Sequence, residues 1–243
     1  MSGYQGTKIF GFITTLWCLS QLLGYAQKPA ADIKKVVDYY NSLTVFSVDV
    51  TAHFYAQETA QKPSRTLDGY TRISGNMSHS IFDGRENIVG NDFILVADHG
   101  NKTIYYSPRE KTAKQKVSKG MEVLDSAFMA MYHIAVASGD GSVAIYKFTP
   151  KKSNSGFKSI TIKINRDTKQ LTEIQYIHEG DVKYKKTVIK YSHFNPAWVA
   201  GKYEFAEKKF ISGKYKQANL QPEFSSYKLI NSYNYDPKKN LIE

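Results

Sequence analysis

A change of period just past residue 44 limits the fold more than any other feature of this chain. From residue 46 to residue 57, Phe46, Val48, Val50, Ala52, Phe54 and Ala56 alternate with Ser47, Asp49, Thr51, His53, Tyr55 and Gln57. Successive side chains of a strand point to opposite faces, so this run describes a long strand with one apolar and one wetter side. Such a strand needs partners on both edges for its backbone groups and a cover for its apolar face.

Turn-forming clusters then cut the chain at short intervals. Gln61-Lys62-Pro63-Ser64 leads into a strand over Leu67–Ile73, Ser74-Gly75-Asn76 into Met77–Phe82, and Asp83-Gly84 into Asn87–Val89, as in an antiparallel meander. Phe93–Tyr106 reads as a hairpin closed over residues 98–102. Further strands are expected at Val143–Phe148, Ile160–Ile164, Leu171–Ile177 and Val182–Tyr191, two connections being residues 165–169 and 179–181.

Two helices are expected. Pro29–Leu43 sets Ile33, Val36, Val37, Tyr40 and Leu43 on one face, with Pro29 in the first turn, where its missing N–H costs nothing. Val117–Ala137 carries Val117, Met121, Leu124, Phe128, Met131, Tyr132 and Ala135 as an apolar stripe, with Gly139 placed to end it. About nine or ten strands, two helices and no βαβ rhythm predict a mainly β chain of the α+β class. The form expected is a curled antiparallel sheet or half-open β-barrel with the helices against its concave face. Residues 214–243 have weak periodicity and read as a peripheral tail with an added strand near Tyr227–Ile230.

Lys8, the apolar run Ile9–Leu23 and Gly24-Tyr25-Ala26 read as a secretory signal peptide cut after Ala26, an uncleaved amphipathic anchor being the alternative. The domain plan is a signal peptide at 1–26, a single domain at 27–212 and a C-terminal extension at 213–243. The expected location is the periplasm. The one cysteine, Cys18, lies within the signal, preceded by Leu16 and Trp17 where lipidation would need small residues. Disulfides, thiol catalysis and thiolate metal sites are therefore excluded after Ala26.

The net charge of +11 includes Lys8. Lys183, Lys185, Lys186 and Lys190 crowd one strand but divide between its faces, and Lys202, Lys208, Lys209, Lys214 and Lys216 follow. Protection of strand edges and attraction to an anionic membrane surface both account for them. Secretion and the lack of an aromatic-basic platform argue against nucleic acid.

No catalytic signature is present. The six histidines, His53, His79, His99, His133, His178 and His193, show no metal-ligand spacing, and His53 and His133 read as ordinary strand and helix positions. There is no Gly-x-Ser-x-Gly elbow, and Ser138-Gly139-Asp140-Gly141-Ser142 follows a predicted helix instead of opening one, which is wrong for phosphate. Asp49, Asp68, Asp83, Asp92, Asp98, Asp167 and Asp181 mostly suit turns or wet strand faces. The expectation is no enzyme, no cofactor and no metal.

Two stretches carry a family likeness. Residues 94–108, ILVADHGNKTIYYSP, resemble the "ILVSDGKxLWxYxP" hairpin of the periplasmic outer-membrane lipoprotein carrier superfamily, the LolA/LolB-like proteins. Residues 160–174, ITIKINRDTKQLTEI, with the Gly180 turn and the Lys185–Tyr191 strand, resemble that superfamily's C-terminal order of strand, Asp-containing turn, strand, turn, strand. The likeness spans about residues 31–195. Family carriers bear an Arg-Pro after their second strand; here the nearest basic residue is Arg72 and no proline follows it. The resemblance implies an open β-barrel whose hollow, lidded by helices, holds an acyl chain. Candidate cavity residues are Phe46, Val48, Val50, Phe54, Leu95, Ile104, Phe128, Met131 and Tyr132, each equally suited to an ordinary packed core. Implied partners are lipid or lipoprotein acyl chains, with a membrane surface or an envelope protein also open, and the chain a monomer. A non-enzymatic carrier or chaperone is one reading. The other is an envelope assembly module with the same fold and a filled core.

Overall fold

A computed structural model describes residues 28–109, 124, 126–152 and 155–234. The expected signal peptide and the last nine residues of the chain fall outside them. Helix α1 (Lys28–Ser42) is followed by β1 (Val45–Tyr55), β2 (Arg65–Ser74), β3 (Met77–Phe82), β4 (Arg85–Val89), β5 (Phe93–Asp98) and β6 (Thr103–Pro108). Helix α2 (Ser126–Ala130) precedes β7 (Tyr132–Asp140), β8 (Val143–Pro150), β9 (Phe157–Asn165), β10 (Gln170–His178) and β11 (Lys186–Asn195). After these come β12 (Ile211–Ser212), β13 (Asn219–Leu220) and β14 (Lys228–Asn231), with short 3-10 turns between them.

Twelve strands form one curved, unclosed sheet in the order β14-β6-β5-β4-β3-β2-β1-β11-β10-β9-β8-β7. The mainly β, largely antiparallel class expected from the alternation is what the chain adopts, with one parallel pairing, between β14 and β6. The long strand β1 lies inside the sheet, between β2 and β11. The meander follows its turn residues: Asp83 and Gly84 both take positive φ, 52° and 70°, which a two-residue hairpin loop requires.

Register along the sheet separates its two faces. Directly paired residues share a face, so Phe46, Ile73, Ser78, Val89, Ile94 and Ser107 form one row, and Val48, Thr71, Ser80, Asn87, Val96 and Tyr105 another beside it. Helix α1 packs on this face through Ile33, Val36 and Tyr40, and we call it the inner face. Ser47, Arg72, His79, Ile88, Leu95 and Tyr106 make up a row on the opposite, outer face.

The two halves of the sheet are buried from opposite sides. On the inner face, α1 covers Phe46, Val48 and Ile73 together with Tyr146, Phe148, Ile160, Ile162, Ile164, Leu171 and Ile174 from β8–β10. Tyr146 donates to Asp32 of α1 at 2.6 Å and Arg166 Nε donates to the same carboxylate oxygen at 3.0 Å, fixing the helix to the sheet. On the outer face, Phe210, Ile211 and Ala218 bury Ile88, Phe93, Leu95, Ala97, Ile104 and Tyr106.

Two expectations need correction. Residues 132–137 are not the end of a helix: α2 stops at Ala130, and β7 pairs with β8 through the Asp140–Val143 hairpin. Tyr132 and Ile134, two apart, point to the core as strand neighbours, and β-branched Ile134 and Val136 suit the pleat. His133 and Gly139 are consequently strand residues, while residues 117–123 and 125 of that expectation lie outside the described ones. The supposed peripheral tail is also packed, as far as residue 234. Leu220, Phe224, Tyr227, Leu229 and Tyr233 lie against the outer-face core, and the added strand near Tyr227 is β14.

Candidate ligand-binding face

The inner face changes character across β3–β6. Val89, Ile94 and Val96 are only half-buried and Tyr105 is 47% exposed, and none of the four belongs to either core cluster. Ser78, Ser80, Asn87 and Ser107 lie half-buried among them, giving a mixed strip with apolar centres. At its border, Val50 pairs with Gly69, where an added Cβ would stand 2.1 Å from the Ile81 carbonyl oxygen and 2.9 Å from the Phe82 ring. Glycine there permits the close approach of β3 to β2.

The nine residues singled out from the sequence do not form one group. Phe46, Val48 and Tyr132 are buried in the inner core, with Val50 and Phe128 packed against it and the Phe128 and Tyr132 rings 4.7 Å apart. Phe54 lies farther along the same face of β1, against the Tyr184 ring at 5.2 Å. Leu95 and Ile104 are fully buried on the outer face, so they are separated from the others by the thickness of the sheet. Met131 is 56% exposed. In β5 it is Ile94 and Val96, not Leu95, that face inward, because successive residues of an all-apolar strand alternate sides.

Burial governs the tyrosines of the inner core. It pushes the Tyr40 and Tyr176 hydroxyls up to about 12 and raises Tyr132 and Tyr146, so these phenols remain neutral in an apolar setting.

The outer face holds a polar cluster that spacing does not reveal. His79 lies between two carboxylates, Nδ1 2.6 Å from Glu204 Oε1 and Nε2 2.9 Å from Glu86 Oε1. Lys209 donates to both oxygens of Glu86 at 2.8 Å, and Arg72 donates to Glu204 at 2.8 Å. Burial raises Glu86, but hydrogen bonds and positive charge from His79 and Lys209 outweigh it and hold the carboxyl at about 2. Glu204 is lowered for the same reasons, by Arg72 and His79. These pairs join the C-terminal segment to β2–β4, beside a cavity of about 410 Å³ lined by Tyr70, Arg72, Ile88, Lys202 and Tyr203. A second cavity of about 360 Å³ is lined by residues of the 207–221 segment itself. Only the pairing of β3 with β4 brings His79 beside Glu86, and Glu204 is 125 residues from His79, so no local motif could have marked the group. Among the described residues, no three His, Cys, Asp or Glu side chains are grouped to hold a metal. No helix among them is long and apolar enough to cross a membrane.

No family model matches the chain, and no curated protein matches it. Solved structures do. An uncharacterized conserved protein from Thermus thermophilus is 10% identical, with 84% of this chain and 99% of that one covered at a TM-score of 0.46. The Mycobacterium tuberculosis lipoprotein LppX is 14% identical, covering 70% and 96% at 0.40. A LolA superfamily protein from Nitrosomonas europaea is 10% identical, covering 74% and 97% at 0.31. The chain itself forms a curved, unclosed sheet with a helix across its inner face.

Proposed function

We propose that this protein is a non-enzymatic carrier that works in the periplasm, reached through a cleaved signal peptide, and holds the acyl chain of a lipid or lipoprotein on its inner face. The observation that carries the reading is the half-exposed apolar strip of Val89, Ile94, Val96 and Tyr105, beside the core that α1 covers. Apolar surface of this kind, rimmed by serines and Asn87, suits an alkyl chain better than a polar solute. The hairpin and C-terminal motifs that resemble the lipoprotein carriers support it. The test is uptake of a fluorescent fatty acid by the purified protein. Binding that Val96→Asp abolishes without lowering the melting temperature supports the carrier; no uptake by the unsubstituted protein rejects it.

A second reading has its own support. Phe46, Val48 and Tyr132 are buried in a continuous core. That favours an envelope interaction module with a filled interior, which would take up no fatty acid yet retain one protein partner in stoichiometric amount.

A further inference from the structure

Residues 196–217 run from the end of β11 across the outer face, beyond the region that resembles the lipoprotein carriers. Their charges are sorted by sign. Lys202, Lys208 and Lys216 are exposed, Lys209 is held by Glu86, and the two acids, Glu204 and Glu207, are turned inward. Glu204 is taken up by Arg72 and His79, and Glu207 is buried with Lys214 at 4.0 Å. The outward field of the segment is therefore positive, although its formal composition is mixed.

Among the described residues, the same segment carries the most exposed large apolar side chains. Val199 is 85% exposed and Tyr203 59% exposed, on a loop whose base is held by Trp198 edge-on to Phe205 at 6.0 Å and beneath the Arg72 guanidinium at 5.6 Å. An exposed valine between Trp198 and Tyr203 in the chain, on a segment with exposed lysines, supplies the residue types of a bilayer interface: acyl boundary, glycerol region and anionic headgroups. An acidic protein would satisfy the lysines but has no comparable use for an exposed valine.

We propose that residues 196–217 form a docking surface for an anionic lipid bilayer, with Val199 and Tyr203 entering the interface and Lys202, Lys208 and Lys216 facing the headgroups. The inference stands apart from the carrier reading, because it concerns the other side of the sheet. The experiment is flotation of the protein, purified as the cell processes it, with vesicles of phosphatidylcholine alone or mixed equally with phosphatidylglycerol. Binding to the mixed vesicles only, weakened by salt, is expected. Lys202→Gln and Lys216→Gln should each lower partitioning about five-fold, and Val199→Asp should abolish it, with melting temperatures unchanged because all three positions are exposed. Equal binding to both vesicles, no binding, or insensitivity to Val199→Asp overturns the proposal. So does capture of an acidic protein in the absence of any vesicle binding. Fatty-acid uptake without vesicles, measured on the same variants, should be unaffected, so a failed carrier and a failed docking surface give different results.

Discussion

Replacing Glu86 with Gln should remove a specific part of this protein's acid sensitivity. The Glu86 carboxyl, 2% exposed, is held at about 2 against an ordinary 4.5, its burial outweighed by His79 and Lys209. A carboxyl depressed in the folded state contributes its full stabilisation above its unfolded value and loses it as pH falls through the folded one. The difference corresponds to roughly 3 kcal/mol. Because Lys209 is 52% exposed, solvent screens its share, and about 2 kcal/mol is the safer figure. At neutral pH, Glu86→Gln should therefore be less stable by about that amount, with the gap closing as pH approaches 2. Urea unfolding of both proteins at stepped pH measures this directly. Asp32 and Glu204 are also lowered, so both curves will fall in acid, and only their difference reports on Glu86. A gap that stays constant down to pH 2, or no gap at neutral pH, would refute the pairing described here.

Other perturbations test other parts of the fold. Gly69→Val should cost several kcal/mol by thermal denaturation, because its Cβ meets the Ile81 carbonyl at 2.1 Å and backbone must move; near-normal stability would contradict the β2–β3 approach. Ile33→Ala should cost about 2–5 kcal/mol by emptying the contact between α1 and the inner face. Tyr40 and Tyr176, raised to about 12 by burial, contribute stability that is complete below pH 10 and lost as pH rises through about 12. Absorbance titration should show these two phenols ionising only with alkaline unfolding, and early ionisation of all tyrosines would show that they are not buried.

Local chemistry makes much of the sheet legible in the residues themselves. The alternation from Phe46, the Asp83-Gly84 turn and the Phe93–Tyr106 hairpin are each decided by neighbours a few residues apart, and the structure has them all. Helix α1 is equally clear, since Ile33, Val36 and Tyr40 recur on one side. The Met131–Ala137 region misleads because its apolar residues fit a helical stripe as well as a strand, and pairing with β8 decides between them. Leu95 reads as a companion of Phe46 because an all-apolar strand such as β5 gives no sign of which side is which; that follows from register carried across five strands. The cover formed by Phe210, Ile211 and Ala218 has no period at all, being built from short turns whose partners are more than a hundred residues away.

That cover also alters the conditions under which β3–β6 can function. Strands with one bare apolar face are ordinarily held in place by whatever fills it, so that an empty binding protein is a weakened one. Here the C-terminal segment braces these strands from behind, through Ile88, Leu95 and Ile104. On the proposed carrier reading, folding and occupancy are thereby uncoupled, because the framework does not depend on what the inner surface holds.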